Sequence, residues 1–323
     1  MTNPKIILVS GCAGFIGSNF VKQFKKSFPK TKILGIDDFS TGRKEALERS
    51  IIFYHDSILN EKLLGKIFSK HKPEYVFHFA ALPSTHYSVE YPRHTSEVNI
   101  VGTVALLEVS KNHGVKRFIY SSSSSIYGEA KKLPIKESNN SPDPKSPYAV
   151  QKYASEQFCK IFSELFGLDT VCLRYANVFG PGQYGDSPYS AVIPAWLESL
   201  YFPDKKRKAF IEGDGNQSRD FCYIDNVILA NILAMKSKQK FNGDVLNIAS
   251  GNQTKINDVK KLIEKYTGKT LNLEKRSPRL GDIRYIWFDV SKAKKLLGYN
   301  PQVNLENGLK KTIRWFKSRE ISK

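Results

Sequence analysis

Three groups of residues in this 323-residue chain have the types and spacing to do chemistry. The first is Gly11-Cys12-Ala13-Gly14-Phe15-Ile16-Gly17, a Gly-x-x-Gly-x-x-Gly turn between an apolar run and a helical pattern. Glycines there permit positive φ and close backbone approach, and the free N–H groups at the start of the following helix suit a pyrophosphate. Twenty residues beyond Gly17, at the end of the next strand pattern, stands Asp37. A carboxylate in that place accepts both ribose hydroxyls of NAD and repels the 2′-phosphate of NADP. Asp38 is expected to cap the Ser40-Thr41-Gly42 turn instead.

The second group is Tyr148 and Lys152, which share one face of a helix because they are four apart. A phenol titrates near pH 10 and needs a shift of about 3 units to act as a base at neutral pH; a nearby ammonium and a cationic nicotinamide each supply about 1–3. Lys152 can also hydrogen-bond the nicotinamide ribose. The third group is the run Ser121–Ser125, which follows the apolar strand pattern Arg117-Phe118-Ile119-Tyr120. Ligands bind at such strand ends in open α/β sheets. Taken singly, Ser121 and Ser125 read as flexible-loop residues.

These groups need a scaffold that brings strand ends together. From Lys5 to Arg174 short β-branched runs alternate with segments of helical period, the pattern of parallel βαβ units. Strands are expected at Lys5–Ser10, Thr31–Asp37, Ile51–His55, Tyr75–Phe79, Arg117–Ser121 and Thr170–Arg174. The runs are nearly continuous in apolar residues, as strands covered on both faces require. The fold class is therefore α/β, a Rossmann-type doubly wound parallel sheet with a smaller C-terminal α/β domain. Residues 1–176, joined by 214–243, are expected to form the NAD-binding domain and 177–323 the substrate domain, where glycines and prolines punctuate a looser stretch. The helix opened by Tyr148 is expected to turn Val150, Tyr153/Ala154, Phe158, Ile161/Phe162 and Leu165 inward. Further helices are read at Asn257–Tyr266, capped by Asn257 and stopped by Gly268, and at the C-terminus with Leu309, Ile313 and Phe316 on one face.

Composition excludes several classes. At 41% apolar and 25% charged the chain is globular, and no apolar stretch approaches the roughly 18 residues of a membrane span. Its start runs directly into a strand pattern with no leader features, so a cytoplasmic protein is expected. Cys12, Cys159, Cys172 and Cys222 are widely spaced, which points to buried thiols, not disulfides or zinc. The histidines His71, His78, His86 and His94 lack metal-ligand spacing, so no metal site is expected. Fifty Lys+Arg against 31 Asp+Glu give a net charge of +19. The surplus lies in stretches such as Lys205–Lys208, Lys236–Lys240 and Lys292–Lys295, which read as solvated surface and not as a nucleic-acid site. A non-catalytic, polyanion-binding NAD scaffold is the reading from another class, and the intact Tyr148/Lys152 pair counts against it.

The sequence resembles the extended short-chain dehydrogenase/reductase family and, within it, the NAD-dependent nucleotide-sugar 4-epimerases. The motifs are Gly11–Gly17, His78-Phe79-Ala80-Ala81, Asn99-Ile100-Val101-Gly102-Thr103, Ser121–Gly128, Tyr148–Lys152, Leu173–Pro181, Arg219-Asp220-Phe221 and Gly281-Asp282. The resemblance implies that Tyr148 is the catalytic base, Lys152 its pKa partner, and Ser123 the hydroxyl on the substrate O4, with Ser124 able to share that role. It places Gly11, Gly14, Phe15, Ile16, Gly17, Asp37, Asn99, Ala80 and Ala81 at the cofactor, Asp56 and Ser57 at its adenine, and Tyr175 on the nicotinamide side. Asn177, Arg219 and Arg279 match positions that grip the UDP diphosphate, and Val192, Asp282 and Ile286 match the substrate pocket. Related dehydratases carry an acid beside the hydroxyl residue; here 123–126 read Ser-Ser-Ser-Ile, which favours the reaction that needs none.

The expected reaction is reversible C4 epimerisation through a 4-keto intermediate with tightly bound NAD. Ser218–Asn226, Ala191–Pro194 and the mid-sized Ile286 look most like members that prefer N-acetylated sugars, hence UDP-GlcNAc and UDP-GalNAc, with UDP-glucose or UDP-glucuronate as alternatives. A homodimer through the helices after Asn99 and from Tyr148 is also implied.

Overall fold

The structure is a computed structural model and describes residues 3–186, 190–203, 209–277 and 284–321. Apolar β-branched runs become six parallel strands, β1 (Ile6–Ser10), β2 (Lys32–Asp37), β3 (Ile52–His55), β4 (Tyr75–His78), β5 (Arg117–Ser123) and β6 (Thr170–Tyr175). All six lie within about two residues of their expected bounds. Together with Asp244–Ile248 they form one seven-stranded sheet, in the order Asp244–Ile248, β6, β5, β4, β1, β2, β3. Every pairing is parallel. Helices cover both faces, and the order reverses beside β1, where a doubly wound sheet opens its ligand crevice. The ends of β1, β2, β4 and β5 meet there.

The chain returns to this sheet further than expected. Helix Ile224–Lys236 packs on the helix after β1, labelled α1 (Phe15–Ser27), and on β5 and β6, and the edge strand Asp244–Ile248 follows it. The remaining C-terminal elements pair among themselves: Asn177–Phe179 with Phe221–Tyr223, Ser218–Arg219 with Thr254–Lys255, and Phe210–Glu212 with Glu274–Arg276.

Close backbone approach decides the turn after β1. Gly11 has φ +69°, and a β-carbon on it would come 2.6 Å from the Ala80 amide nitrogen; one on Gly17 would come 2.0 Å from the Gly11 carbonyl. The strand, the turn and the start of α1 are thus pressed together in a way only glycine allows.

Two expectations are corrected. In the helix Pro147–Phe166 the buried residues are Tyr148, Ala149, Gln151, Lys152, Ser155, Glu156, Cys159, Phe162 and Ser163, whereas Val150, Phe158, Ile161 and Leu165 are exposed. The apolar stripe faces outward because the sheet-side face carries polar groups that bond to β5 and to neighbouring helices. The helix expected at Asn257–Tyr266 begins at Ile256 with Lys255 at its cap; Asn257 instead donates its side-chain amide to the Asp214 carbonyl. Its end at Gly268, in the left-handed region, is as expected, as is the burial of Leu309, Ile313 and Phe316 in the helix Leu305–Ile321. All four cysteines are buried free thiols.

Candidate active site

The site lies at the carboxyl ends of β1, β2, β4 and β5. Asp37, the last residue of β2, is buried, and its carboxylate accepts from the Ala13 and Phe39 amides at 2.8 Å each. Burial pulls its pKa up and these hydrogen bonds pull it down. Two oxygens with two lone pairs each leave acceptor capacity for a diol. Asp38 caps its own turn through the Ser40 amide, as expected. No side chain caps α1 at Gly14, and its first turn holds no acidic residue, so the donors and positive end of this helix are available to a phosphate. The glycine cradle, the uncapped helix end and the buried acid at β2 fit a dinucleotide without a 2′-phosphate.

Beside them a buried polar chain carries the wall of the site. Ser10 Oγ accepts from the Ala80 amide, and its hydroxyl lies 2.7 Å from His78 Nδ1; His78 Nε2 lies 2.9 Å from Thr103 Oγ1, which donates to the Asn99 carbonyl. Thr103 has one proton and spends it on Asn99, so His78 carries its proton on Nε2 and accepts from Ser10. Burial, with Lys152 nearby, drives the His78 pKa down to about 3, which keeps it neutral. The Asn99 amide is fully committed: it bonds Leu82 in both directions and donates to Gln151. Asn99 therefore shapes the Ala80–Leu82 wall from behind and does not reach into the crevice with its side chain.

The Pro147–Phe166 helix starts on a Ser146 cap with Pro147 in its first turn and aims Tyr148 and Lys152 at the end of β5. Burial pushes the Tyr148 phenol up to about 12, against a hydrogen bond from Ser123 that lowers it. Lys152 Nζ donates to the Ser121 carbonyl at 2.7 Å and lies 5.9 Å from the Tyr148 ring centroid. Burial lowers it from 10.5 to about 8. The expected lowering of Tyr148 by the lysine is not what governs the phenol here: desolvation by burial dominates, and the group that opposes it is Ser123.

The serine run is ordered, which corrects the loop reading for its ends. Ser121 Oγ lies 3.1 Å from Tyr175 Oη, and Ser123 Oγ lies 2.9 Å from Ser125 Oγ and accepts from its amide. Ser124 opens the 3-10 turn Ser124–Tyr127. Tyr175 is buried, its phenol is held up at about 12 by burial, and the same oxygen accepts from the Asn231 side-chain amide. Beneath the run lies a group that motif reading missed. Glu156 accepts from Ser122 Oγ at 2.5 Å and from Arg174 Nε and Nη2 at 2.8 and 2.6 Å. Arg174 covers the Tyr127 ring at 4.5 Å, and Tyr127 donates to Asn247. The signal was present: Glu156 stands four residues after Lys152, on the same helix face as it and Tyr148.

The second half of the crevice is stitched by backbone. The Asn177 amide donates to the Asp220 carbonyl, and the Ile286 amide to the Ser218 carbonyl, so Arg219 lies between these two positions. Val192 is the first residue of the helix Val192–Tyr201. Asp220, also missed as a functional element, is buried and raised to about 6 by burial; it accepts from Ser250, Gly251 and Phe288 and pins the surrounding loops. Asp56 and Ser57 bond locally ahead of the helix Glu61–His71, Asp56 to the Ser57 amide and to Asn60, and Ser57 Oγ to the Leu59 amide. Arg279 and Asp282, and the basic stretch Lys205–Lys208, lie outside the described residues. Among the described residues no group of three or more His, Cys, Asp or Glu could hold a metal ion, and no helix is long and apolar enough to cross a membrane.

A family model described as the NAD dependent epimerase/dehydratase family matches residues 7–249. The chain belongs to that family. This member is NAD-dependent, and its fold recurs in solved relatives. UDP-glucose 4-epimerase of Thermotoga maritima with UDP-glucose is 39% identical at a TM-score of 0.91, covering 97% of this chain and 99% of its own. UDP-N-acetylglucosamine 4-epimerase of Methanobrevibacter ruminantium, in complex with UDP-N-acetylmuramic acid, is 35% identical at 0.90, covering 98% and 100%. UDP-glucuronic acid 4-epimerase of Bacillus cereus, with UDP-glucuronic acid and NAD, is 33% identical at 0.86, covering 97% and 99%.

Removing one partner of a buried ion pair leaves the other charge uncompensated, at about 3–5 kcal/mol. Glu156→Ala is accordingly expected to destabilise the protein by about that amount in urea unfolding. A loss below about 1 kcal/mol, the value of an exposed pair, would show that Arg174 has another way to be satisfied.

Proposed function

We propose that this protein interconverts UDP-GlcNAc and UDP-GalNAc by inverting C4 through a 4-keto intermediate. It is an NAD-dependent UDP-sugar 4-epimerase, and the reaction type is supported by a site rich in hydroxyls whose adjoining carboxylate, Glu156, is locked to Arg174. Elimination of water needs a further acid or base that this arrangement does not offer. When bound, NAD supplies the acceptor for the C4 hydrogen and a positive charge that favours ionisation of Tyr148. Tyr148 Oη would take the C4 hydroxyl proton as the C4 hydrogen leaves and, once the 4-keto sugar has turned over and received that hydrogen on its other face, would return the proton to O4; Ser123 Oγ, with Ser124 beside it, holds O4. Lys152 holds the nicotinamide ribose. Asn177, Arg219 and Arg279 grip the diphosphate, since planar guanidinium forks pair with phosphate oxygens, while the sugar end stays free to turn over.

The preference for an N-acetyl group rests on Ile286, held beside Ser218 and Arg219 by its backbone and only partly buried. A residue of this size leaves room at C2 that a bulky aromatic would fill, and the M. ruminantium relative acts on such a sugar. UDP-glucose is the second reading, favoured by the higher identity of the T. maritima relative. A tenfold preference is only 1.4 kcal/mol, within reach of one or two pocket contacts. Incubation with each UDP-sugar without added NAD, followed by chromatographic separation, is expected to give higher kcat/KM on UDP-GlcNAc than on UDP-glucose, with Tyr148→Phe inactive on both but still binding UDP. A strong preference for UDP-glucose would overturn the assignment.

The same roles set a pH limit. Burial lowers Lys152 to about 8, so the folded protein loses this proton before the unfolded chain does. Turnover is expected to fall as pH rises through about 8, whereas the stability linked to Lys152 rises from there up to the ordinary lysine range near 10.4. A pH–rate profile flat across that interval would remove the ammonium from the mechanism.

The outward stripe Val150, Phe158, Ile161 and Leu165 is assigned to a second copy of this chain, because it is long, apolar and set on a helix whose other face is fully satisfied. Sedimentation is expected to show a dimer that Ile161→Glu with Leu165→Glu converts to monomer; a monomeric parent protein would refute the interface.

A further inference from the structure

The segment after strand Asn177–Phe179, Gly180-Pro181-Gly182-Gln183-Tyr184-Gly185-Asp186, touches the cofactor half of the molecule at two places. At one end Asn19, on α1, donates its side-chain amide to the Pro181 carbonyl at 2.9 Å. Gly182 has φ +87°, and a β-carbon there would meet Asn19 at 3.2 Å. At the other end Arg43 pairs with Asp186 at 2.6 Å, and its guanidinium lies 3.7 Å from the centre of the Tyr184 ring. Arg43 is itself fixed to the glycine turn, since its amide donates to the Ala13 carbonyl at 3.0 Å. The neighbouring Gly42 lies so close to Asp37 that a β-carbon would come 2.8 Å from its Oδ1. The two anchors therefore bracket the dinucleotide cradle, one on the first turns of α1 and one on the loop that follows Asp37 at the end of β2.

The segment is also held from behind. Arg319 lies 4.4 Å from the Tyr184 ring centre and pairs with Glu198, whose carboxylate accepts from the Gly185 amide. Trp315 meets the Tyr184 ring edge-on at 5.2 Å. A β-carbon on Gly185 would come 2.0 Å from the Pro194 carbonyl, so the chain there is pressed onto the helix Val192–Tyr201. Tyr184 is thus gripped between two guanidiniums, one from each half of the molecule, and a planar cation over an aromatic face gains most when part of its water is removed.

We propose that residues 180–186 form a strap across the cofactor cradle, with Arg43 and Tyr184 as the positioning residues that clasp it and keep NAD from leaving. An enzyme that returns its hydrogen within each turnover has no use for cofactor exchange, so a device that slows dissociation costs it nothing in rate. The strap concerns the cofactor and is the same whichever UDP-sugar is turned over.

The test follows loss of labelled NAD from the loaded protein into an excess of unlabelled NAD, with thermal unfolding of the NAD-stripped protein measured alongside. Arg43→Ala and Tyr184→Ala are expected to release NAD about tenfold faster or more, the factor that corresponds to 1.4 kcal/mol. Tyr184→Phe keeps the ring face and is expected to release at the parent rate. The double variant Arg43→Ala with Tyr184→Ala is expected to be no faster than the faster single one, because the two residues form one clasp. The stripped variants are expected to melt with the parent. Release from Arg43→Ala at the parent rate would overturn the proposal, and so would faster release accompanied by a matching fall in the melting temperature of the stripped protein.

Discussion

A helix that forms one wall of a catalytic crevice must bury polar side chains, and a buried polar group without a partner is costly. The Pro147–Phe166 helix meets that constraint with the Glu156–Arg174 ion pair. Glu156 takes three hydrogen bonds, two from Arg174 and one from Ser122, so one carboxylate joins the helix to β5 and β6. Gln151 and Asn99 do the same for the wall behind Ala80, and His78 extends that network to Ser10 at the end of β1. Such a connected network of buried polar groups stiffens the wall it forms. The helix accordingly sends its apolar stripe outward.

Burial acts on Tyr148 and Lys152 in opposite senses. It raises the Tyr148 phenol and lowers the Lys152 ammonium, which brings both toward the neutral form. The crevice without ligand thus opposes charge except where Glu156 and Arg174 cancel each other. In the proposed mechanism, the cationic nicotinamide ring changes that balance, so that proton transfer from a sugar hydroxyl is coupled to its presence. In the proposed mechanism, the charge that ionises Tyr148 arrives with the nicotinamide ring.

The net charge of +19 plays a smaller part than its size suggests. Most of the ion pairs among the described residues are at least partly exposed, such as Lys116–Glu74, Lys261–Asp258 and Arg284–Asp214. Pairs of that kind contribute little. The Arg117–Asp169 and Arg174–Glu156 pairs are buried on both sides, where loss of one partner leaves the other charge uncompensated.

Much of this was legible in the residues alone. The six first strands, the glycine turn, the acid at β2 and the Tyr148/Lys152 face follow from local pattern, because strand burial, turn geometry and helical period are properties of short segments. The sequence by itself determined the fold class, the glycine turn after β1 and the shared helix face of Tyr148 and Lys152. Only the tertiary structure decided which face of the Pro147–Phe166 helix is buried, since an apolar stripe looks the same whether it packs on its own sheet or is left for a partner. Only the tertiary structure, likewise, showed Asn99 turned to Leu82 and Gln151, Glu156 set under the serine run, and Arg43 clasped to Tyr184 and Asp186 across more than a hundred residues of chain. Those contacts depend on which side chains meet at long range, and no local period encodes that.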